Sequence, residues 1–229
     1  MIQAINNASP DKKQHASRPS LFIKISGSKA HTAEDQRIAK MLASKHGADL
    51  SMLQLSRDTM EVEDLWESRK VALWSVMQYR SEKCEEAGLG SELARAFTTD
   101  VCVPTARLSE FVRGVKADLA ANDVYGPIVG DVGDGKFQSI IVYTSKEELA
   151  RAQEIVHRLV KLAQDLGATC TEEHGVGRGK KKNYLEGELG KGIVGLLKDL
   201  NAMIDSEGLM NPGALYSDQG DQGAHGTHH

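Results

Sequence analysis

Apolar residues recur along the chain at two spacings, every second position and every third or fourth, and the changes between them mark strands and helices. Residues 21–25 (LFIKI) alternate as a strand, which Gly27 and Ser28 end. Thr32 with Asp35 resembles a capping box, opening a helix whose stripe is Ile38, Met41 and Leu42 and whose stop is Gly47. Residues 51–55 read as a short strand. Residues 61–80 are helical by spacing, with Leu65, Trp66, Ala72, Leu73, Val76 and Met77 on one face. Arg69 falls among them and projects from the apolar stripe. Such an arginine is either snorkelling at the stripe's edge or held in a pocket to meet an anion.

Further along, residues 101–104 read as a strand, and Leu108, Phe111, Val112, Val115 and Leu119 mark a helix. Residues 124–129 and 137–143 form a hairpin pattern across a glycine-rich turn. Ser145 and Glu148 make a capping box for a long helix to Leu166, which Gly167 stops. A glycine-broken loop over 169–179 leads to a last helix over 185–204. Strand-helix-strand runs mixed with a hairpin predict an α+β fold, a largely antiparallel sheet with helices packed on one side.

Composition narrows the function classes. Hydrophobic residues make 40% and charged residues 26% of the 229, as in a globular protein, and the net charge of −4 argues against a bulk electrostatic grip on nucleic acid. No apolar run reaches the length of a membrane span. Three widely separated cysteines, Cys84, Cys102 and Cys170, read as reduced thiols. Residues 1–20 are polar, read as a disordered lead-in, and supply no convincing targeting segment. Residues 217–229, rich in Gly, Gln and His, read as a disordered tail.

Two stretches carry chemistry. Residues 129–138 (VGDVGDGKFQ) are a glycine-aspartate turn, which taken alone is a tight hairpin turn and lacks the Gly-Lys-Ser/Thr of a P-loop. Residues 170–180 (CTEEHGVGRGK) set Glu173 and His174 beside Gly175, Gly177 and Gly179. A histidine is a natural proton acceptor near neutrality, a neighbouring carboxylate can hold a metal or a charge, and glycines admit a ligand close to the backbone. A surface loop with an incidental Glu and His is the alternative.

The CTEEHGVGRGK stretch, followed by YLEGELG at 184–190 and IDSEGLMNPG at 204–213, resembles the C-terminal domain of FAD-linked oxidases. LWESR at 65–69 and DVCVP at 100–104 add to the resemblance, which covers roughly residues 21–216. It is nearest to the D-lactate dehydrogenase (cytochrome) and D-2-hydroxyglutarate dehydrogenase group, of the vanillyl-alcohol-oxidase type. It implies a ferredoxin-like cap domain and a substrate-binding role in an FAD-dependent 2-hydroxy acid dehydrogenase. The expected reaction takes D-lactate to pyruvate and passes electrons to cytochrome c or a quinone-type acceptor, in the mitochondrion.

Residue by residue, the resemblance makes His174 the base that takes the hydroxyl proton and Glu173 a ligand of a divalent metal. Arg69 becomes the grip on the substrate carboxylate, and Asn211 a residue of the motif that approaches the flavin. The family's two metal-binding histidines, seven residues apart, fall on Asp131 and Gln138, with Lys136 where an asparagine is usual. An Asp-Gln-Glu set disfavours zinc and leaves a weakened divalent-metal site. The interval from Gly179-Lys180 to Tyr184 is one residue longer than usual. The resemblance implies that the flavin-binding domain lies outside these residues, so a partner domain in cis or trans is expected, together with exposed apolar surface and no activity of the chain alone. A non-catalytic module or degenerate paralogue that associates with a separate flavoprotein is the alternative.

Overall fold

The computed structural model describes residues 1–9, 14–56, 58–88, 95–171, 174–177 and 184–214. They fall into two units, Met1–Ala94 and Arg95–His229.

In the first unit every regular element among the described residues is a helix. These are α1 (Ile2–Ala8), α2 (Lys29–Lys45), α3 (Thr59–Lys70) and α4 (Ala72–Glu86), with a 3₁₀ turn at Leu50–Met52. The expected lead-in is therefore corrected at its start. Ile2, Ala4 and Ile5 are buried and α1 packs on α4, whose Ala72, Val76 and Cys84 are also buried. Asn6 ties the following segment back, its Nδ2 donating to the His15 carbonyl at 2.6 Å and its Oδ1 accepting the His15 N–H at 2.9 Å.

Neither strand expected in this unit forms. Residues 21–25 are irregular, with Leu21 and Ile23 exposed, and residues 51–55 begin in the 3₁₀ turn that Asp49 caps by accepting from the Ser51 N–H. Alternation alone does not make a strand when no neighbouring strand supplies hydrogen bonds. The helix expected over 61–80 is two helices, broken at Val71, where ψ is 0°. The α2 stripe of Ile38, Met41 and Leu42 is exposed.

The second unit is the α+β fold. Its sheet has β1 (Arg95–Thr98), β2 (Val101–Cys102), β3 (Ile128–Asp131) and β4 (Lys136–Tyr143), all paired antiparallel to β4. β1, four residues with only Ala96 and Phe97 apolar, is not legible from alternation. The helices are α5 (Leu108–Ala121), α6 (Lys146–Asp165) and α7 (Tyr184–Ile204), the last interrupted at Gly190. With β1 and β2 on one edge of β4, β3 on the other, and a bridge from Cys102 to Thr169, the β-α-β-β-α-β order is ferredoxin-like.

α5 and α6 cover one sheet face. Phe111 and Phe137 meet edge to face at 4.8 Å, and Val115, Ile141, Ile155 and Leu159 close around them. A bidentate pair joins the helices, Arg158 Nε to Asp118 Oδ2 and Arg158 NH2 to Asp118 Oδ1, each at 2.9 Å. α6 starts as its sequence predicts. Ser145 Oγ accepts the Glu148 N–H at 3.1 Å, and Glu148 Oε2 accepts the Thr144 N–H at 2.7 Å.

The hairpin turn depends on Gly135, at φ +73°, where a Cβ would lie 2.0 Å from the Val103 carbonyl oxygen. Tyr184 anchors the start of α7: it is buried, and Gln164 Nε2 donates to its carbonyl at 3.1 Å. Burial, aided by the negative charge Cys170 can carry, pushes its phenol up to about 12.

Ser145→Ala is expected to lower unfolding stability by about 1 kcal/mol, the worth of an N-cap. Gly135→Ala should cost roughly 2–4 kcal/mol from left-handed strain plus overpacking. Denaturant titration measures both. Tyr184 gives a third expectation. The unfolded phenol ionises near pH 10 while the folded one keeps its proton to about pH 12. Its contribution is therefore complete below pH 10 and is lost as pH rises from 10 to 12. Denaturation midpoints across that range should fall less steeply for Tyr184→Phe than for the unaltered chain.

Candidate active site

Side chains alternate between the two faces of β4. Phe137 and Ile141 turn to the helices, which leaves Lys136 and Gln138 on the other face. The register Asp131↔Lys136 and Val129↔Gln138 adds Asp131 to that face, diagonal to Gln138 across the ladder.

On the opposite edge, Thr98↔Ile140 and Val101↔Phe137 belong to one register. Thr99 bridges them, its N–H donating to the Ser139 carbonyl at 3.1 Å and its Oγ1 accepting the Ser139 N–H at 2.8 Å. The same count sets Asp100 opposite Gln138.

Asp100 is 2% exposed. Its Oδ2 accepts the backbone N–H of His174 at 2.9 Å and lies 3.9 Å from the ring's Nδ1, an ion-pair distance and too long for a hydrogen bond. His174 is thereby fixed at the sheet, although its side chain stays 44% exposed. Asp100 is the residue that sequence reasoning did not assign. The one signal is an aspartate directly before the apolar run Val-Cys-Val-Pro.

The other expected site residues fare differently. Glu173 lies outside the described residues. Arg69 belongs to the first unit, on the last turn of α3, and it is exposed. The helix break at Val71 separates it from Ala72 and Leu73, so the stripe that seemed to enclose it is not continuous. Asn211 stands in the left-handed region at φ +48°, which asparagine tolerates. The chain just before it is held by Asp205, whose carboxylate accepts the N–H groups of Leu209 and Met210 at 2.9 and 2.7 Å. Asn211 itself is exposed.

The donor set for a metal does not fit zinc. Asp131 Oδ1 already accepts the Gly133 N–H at 3.1 Å, Gln138 is a neutral amide, and Lys136 brings an ammonium directly across the ladder. Among the described residues no three His, Cys, Asp or Glu side chains gather to hold a metal. A cavity of about 550 Å³ opens beside the hairpin, lined among others by Cys102, Thr105, Asp134, Gly167 and Glu188; His174 does not line it.

Residues 1–215 match the family of FAD linked oxidases, C-terminal domain. The match begins well before residue 21, in keeping with the packing of α1. D-lactate dehydrogenase [cytochrome] 1, mitochondrial, of Saccharomyces cerevisiae is 35% identical over 217 residues, covering 94% of this chain and 35% of that protein. D-lactate dehydrogenase [cytochrome], mitochondrial, of Arabidopsis thaliana is 35% identical over 216 residues, covering 93% and 35%. Glycolate oxidase subunit GlcD of Bacillus subtilis is 31% identical over 133 residues, 56% of this chain and 28% of that protein. The chain thus spans about a third of the length of these D-lactate dehydrogenases. With its ferredoxin-like sheet and its Glu-His-Gly-Val-Gly loop, the chain belongs to the C-terminal domain family of FAD-linked oxidases.

Proposed function

We propose that this chain is the substrate-handling part of an FAD-dependent 2-hydroxy acid dehydrogenase, and that it acts on D-lactate, yielding pyruvate. The observation that carries the reading is His174, held at the sheet by a buried carboxylate within the loop that bears the family motif. Oxidation removes a proton and a hydride from the acid. His174 takes the hydroxyl proton. Bound FAD supplies the hydride acceptor for the hydrogen on C2.

Arg69 presents an exposed guanidinium, suited to a two-pronged bond with the substrate carboxylate. Asn211 offers its amide to the flavin. By the family resemblance Asp131, Gln138 and Glu173 are the candidate metal ligands, and a hard ion such as magnesium or manganese is what such oxygen donors would take. Electrons leave to cytochrome c or a quinone-type acceptor, and the mitochondrial names of the two D-lactate dehydrogenases support that compartment.

A second reading, a non-catalytic module that docks on a separate flavoprotein, is favoured by the exposed Ile193, Leu196, Leu200 and Met203 of α7 and by the substituted hairpin. Association with a flavoprotein without bound metal or carboxylate affinity would support it.

The test is dye reduction by D-lactate in the FAD-loaded protein containing this chain. His174→Ala is expected to lower the rate by about 10²–10⁴-fold, the usual worth of a general base. A rate within twofold would remove His174 from the catalytic list. The chain alone with free FAD is expected to show no turnover, and turnover there would overturn the need for a flavin-binding partner.

A further inference from the structure

A cavity walled by charges of one sign focuses their field and draws in ions of the other sign. The cavity of about 550 Å³ beside the hairpin lies within the second unit, between the end of β2, the end of α6 and the first turns of α7. Its charged lining residues are Asp134 and Glu188, and among the described residues no lysine, arginine or histidine lines it. Glu188 is already held in place. Its Oε2 accepts the Cys170 N–H at 3.1 Å and the Cys170 thiol at 3.2 Å, which leaves Oε1 for a ligand. Gln164 is held in the same manner, its Nε2 donating to the Tyr184 carbonyl at 3.1 Å, and its amide oxygen remains to accept. That amide lies against Gly187, where a Cβ would stand 2.6 Å from Nε2 and 2.7 Å from Oε1. A side chain at 187 would push it from the wall. Two acceptors are therefore ordered before any ligand arrives, which lowers the entropy cost of binding. Val103, Pro104 and Ala168 line the same space and can meet an aliphatic stem.

We infer that this cavity binds an alkyl cation rich in N–H donors, a guanidinium or primary ammonium on an aliphatic stem. Asp134 and Glu188 take its charge, and Gln164 Oε1 accepts a further N–H. The volume falls in the range of small-ligand pockets, roughly 300–1,000 Å³. Two carboxylates repel the carboxylate of a 2-hydroxy acid, so the ligand is not the proposed substrate, and the inference stands apart from the reading of His174. The cation is either a free small molecule or an arginine or lysine side chain of the remaining FAD-loaded protein. The chemistry is the same, and the experiment separates the two.

Agmatine, an alkyl guanidinium, is the probe. Proton–nitrogen spectra of the ¹⁵N-labelled 229-residue chain are followed at low salt as agmatine is added. The amide signals of Thr105, Thr169 and Glu188, which line the cavity, are expected to shift saturably with a Kd of about 1 mM or below. Tetramethylammonium, a cation without an N–H, should bind about tenfold more weakly. Glu188→Gln keeps an oxygen for the Cys170 N–H, and it and Asp134→Asn should each weaken agmatine about tenfold. Gln164→Met, which changes no charge, should weaken it about threefold. Glu154→Gln, exposed on α6 and outside the lining, should leave it unchanged. Shifts that never saturate, equal binding of tetramethylammonium, or equal weakening by Glu154→Gln overturn the inference. Should a variant lose its cooperative thermal transition, the two cations compared on the unaltered chain decide. Equilibrium dialysis of labelled agmatine against the FAD-loaded protein then names the source. Binding there as well identifies a free small cation, and binding to the chain alone identifies a side chain of the remaining protein.

Discussion

Among the described residues β1, β2 and β3 all pair with β4, and the placement of its Phe137 governs the site. Phe137 must face α5, where Phe111 meets it edge-on, or the core loses the contact between its two largest fully buried side chains. Strand alternation then sends Lys136 and Gln138 to the opposite face. Val101 pairs with Phe137, so Asp100, one residue earlier, is carried to that face as well. A slip of one residue would put Asp100 in the apolar core and bring Val101 out of it. The burial of one aromatic ring thus decides where the carboxylate that holds His174 can stand.

What was legible in the sequence was local. The spacing of Leu108, Phe111, Val115 and Leu119 gives α5, and the Ser145–Glu148 box gives the start of α6, because each signal lies within one or two helical turns. The hairpin was legible for the same reason. Partner-dependent features were not. Residues 21–25 alternate without a strand to pair with, whereas β1, poor in apolar residues, exists because β4 accepts it along Arg95↔Tyr143 to Thr98↔Ile140. α1 hides three packed residues, Ile2, Ala4 and Ile5, in a polar segment whose helix is held by α4. The reading of Arg69 assumed an unbroken helix through Val71. The His174 loop announced itself through its motif, but its link to Asp100 could not, since nothing in either segment names the other.

The hairpin face carries its own charge pairing and turn bond. Asp131 and Lys136 stand directly opposite, and opposite charges so placed add roughly 0.2–1 kcal/mol to strand pairing. Asp131 also closes the turn through the Gly133 N–H. The hairpin is therefore organised in part by its own side chains and turn. A carboxylate engaged in a turn and facing an ammonium is a poorer cation ligand than a free one.

α7 carries an exposed apolar stripe. Ile193, Leu196, Leu200 and Met203 recur at helical spacing and are exposed, and burying each would contribute about 1.5–3 kcal/mol. The first turns of the same helix are already engaged. Tyr184 is buried against α6, and Glu188 Oε2 accepts the Cys170 N–H at 3.1 Å, at the head of the segment that carries His174. The break at Gly190 separates these anchored turns from the exposed stripe. The ties of Glu188 to the Cys170 N–H and of Asp100 to the His174 N–H therefore involve no residue of the stripe.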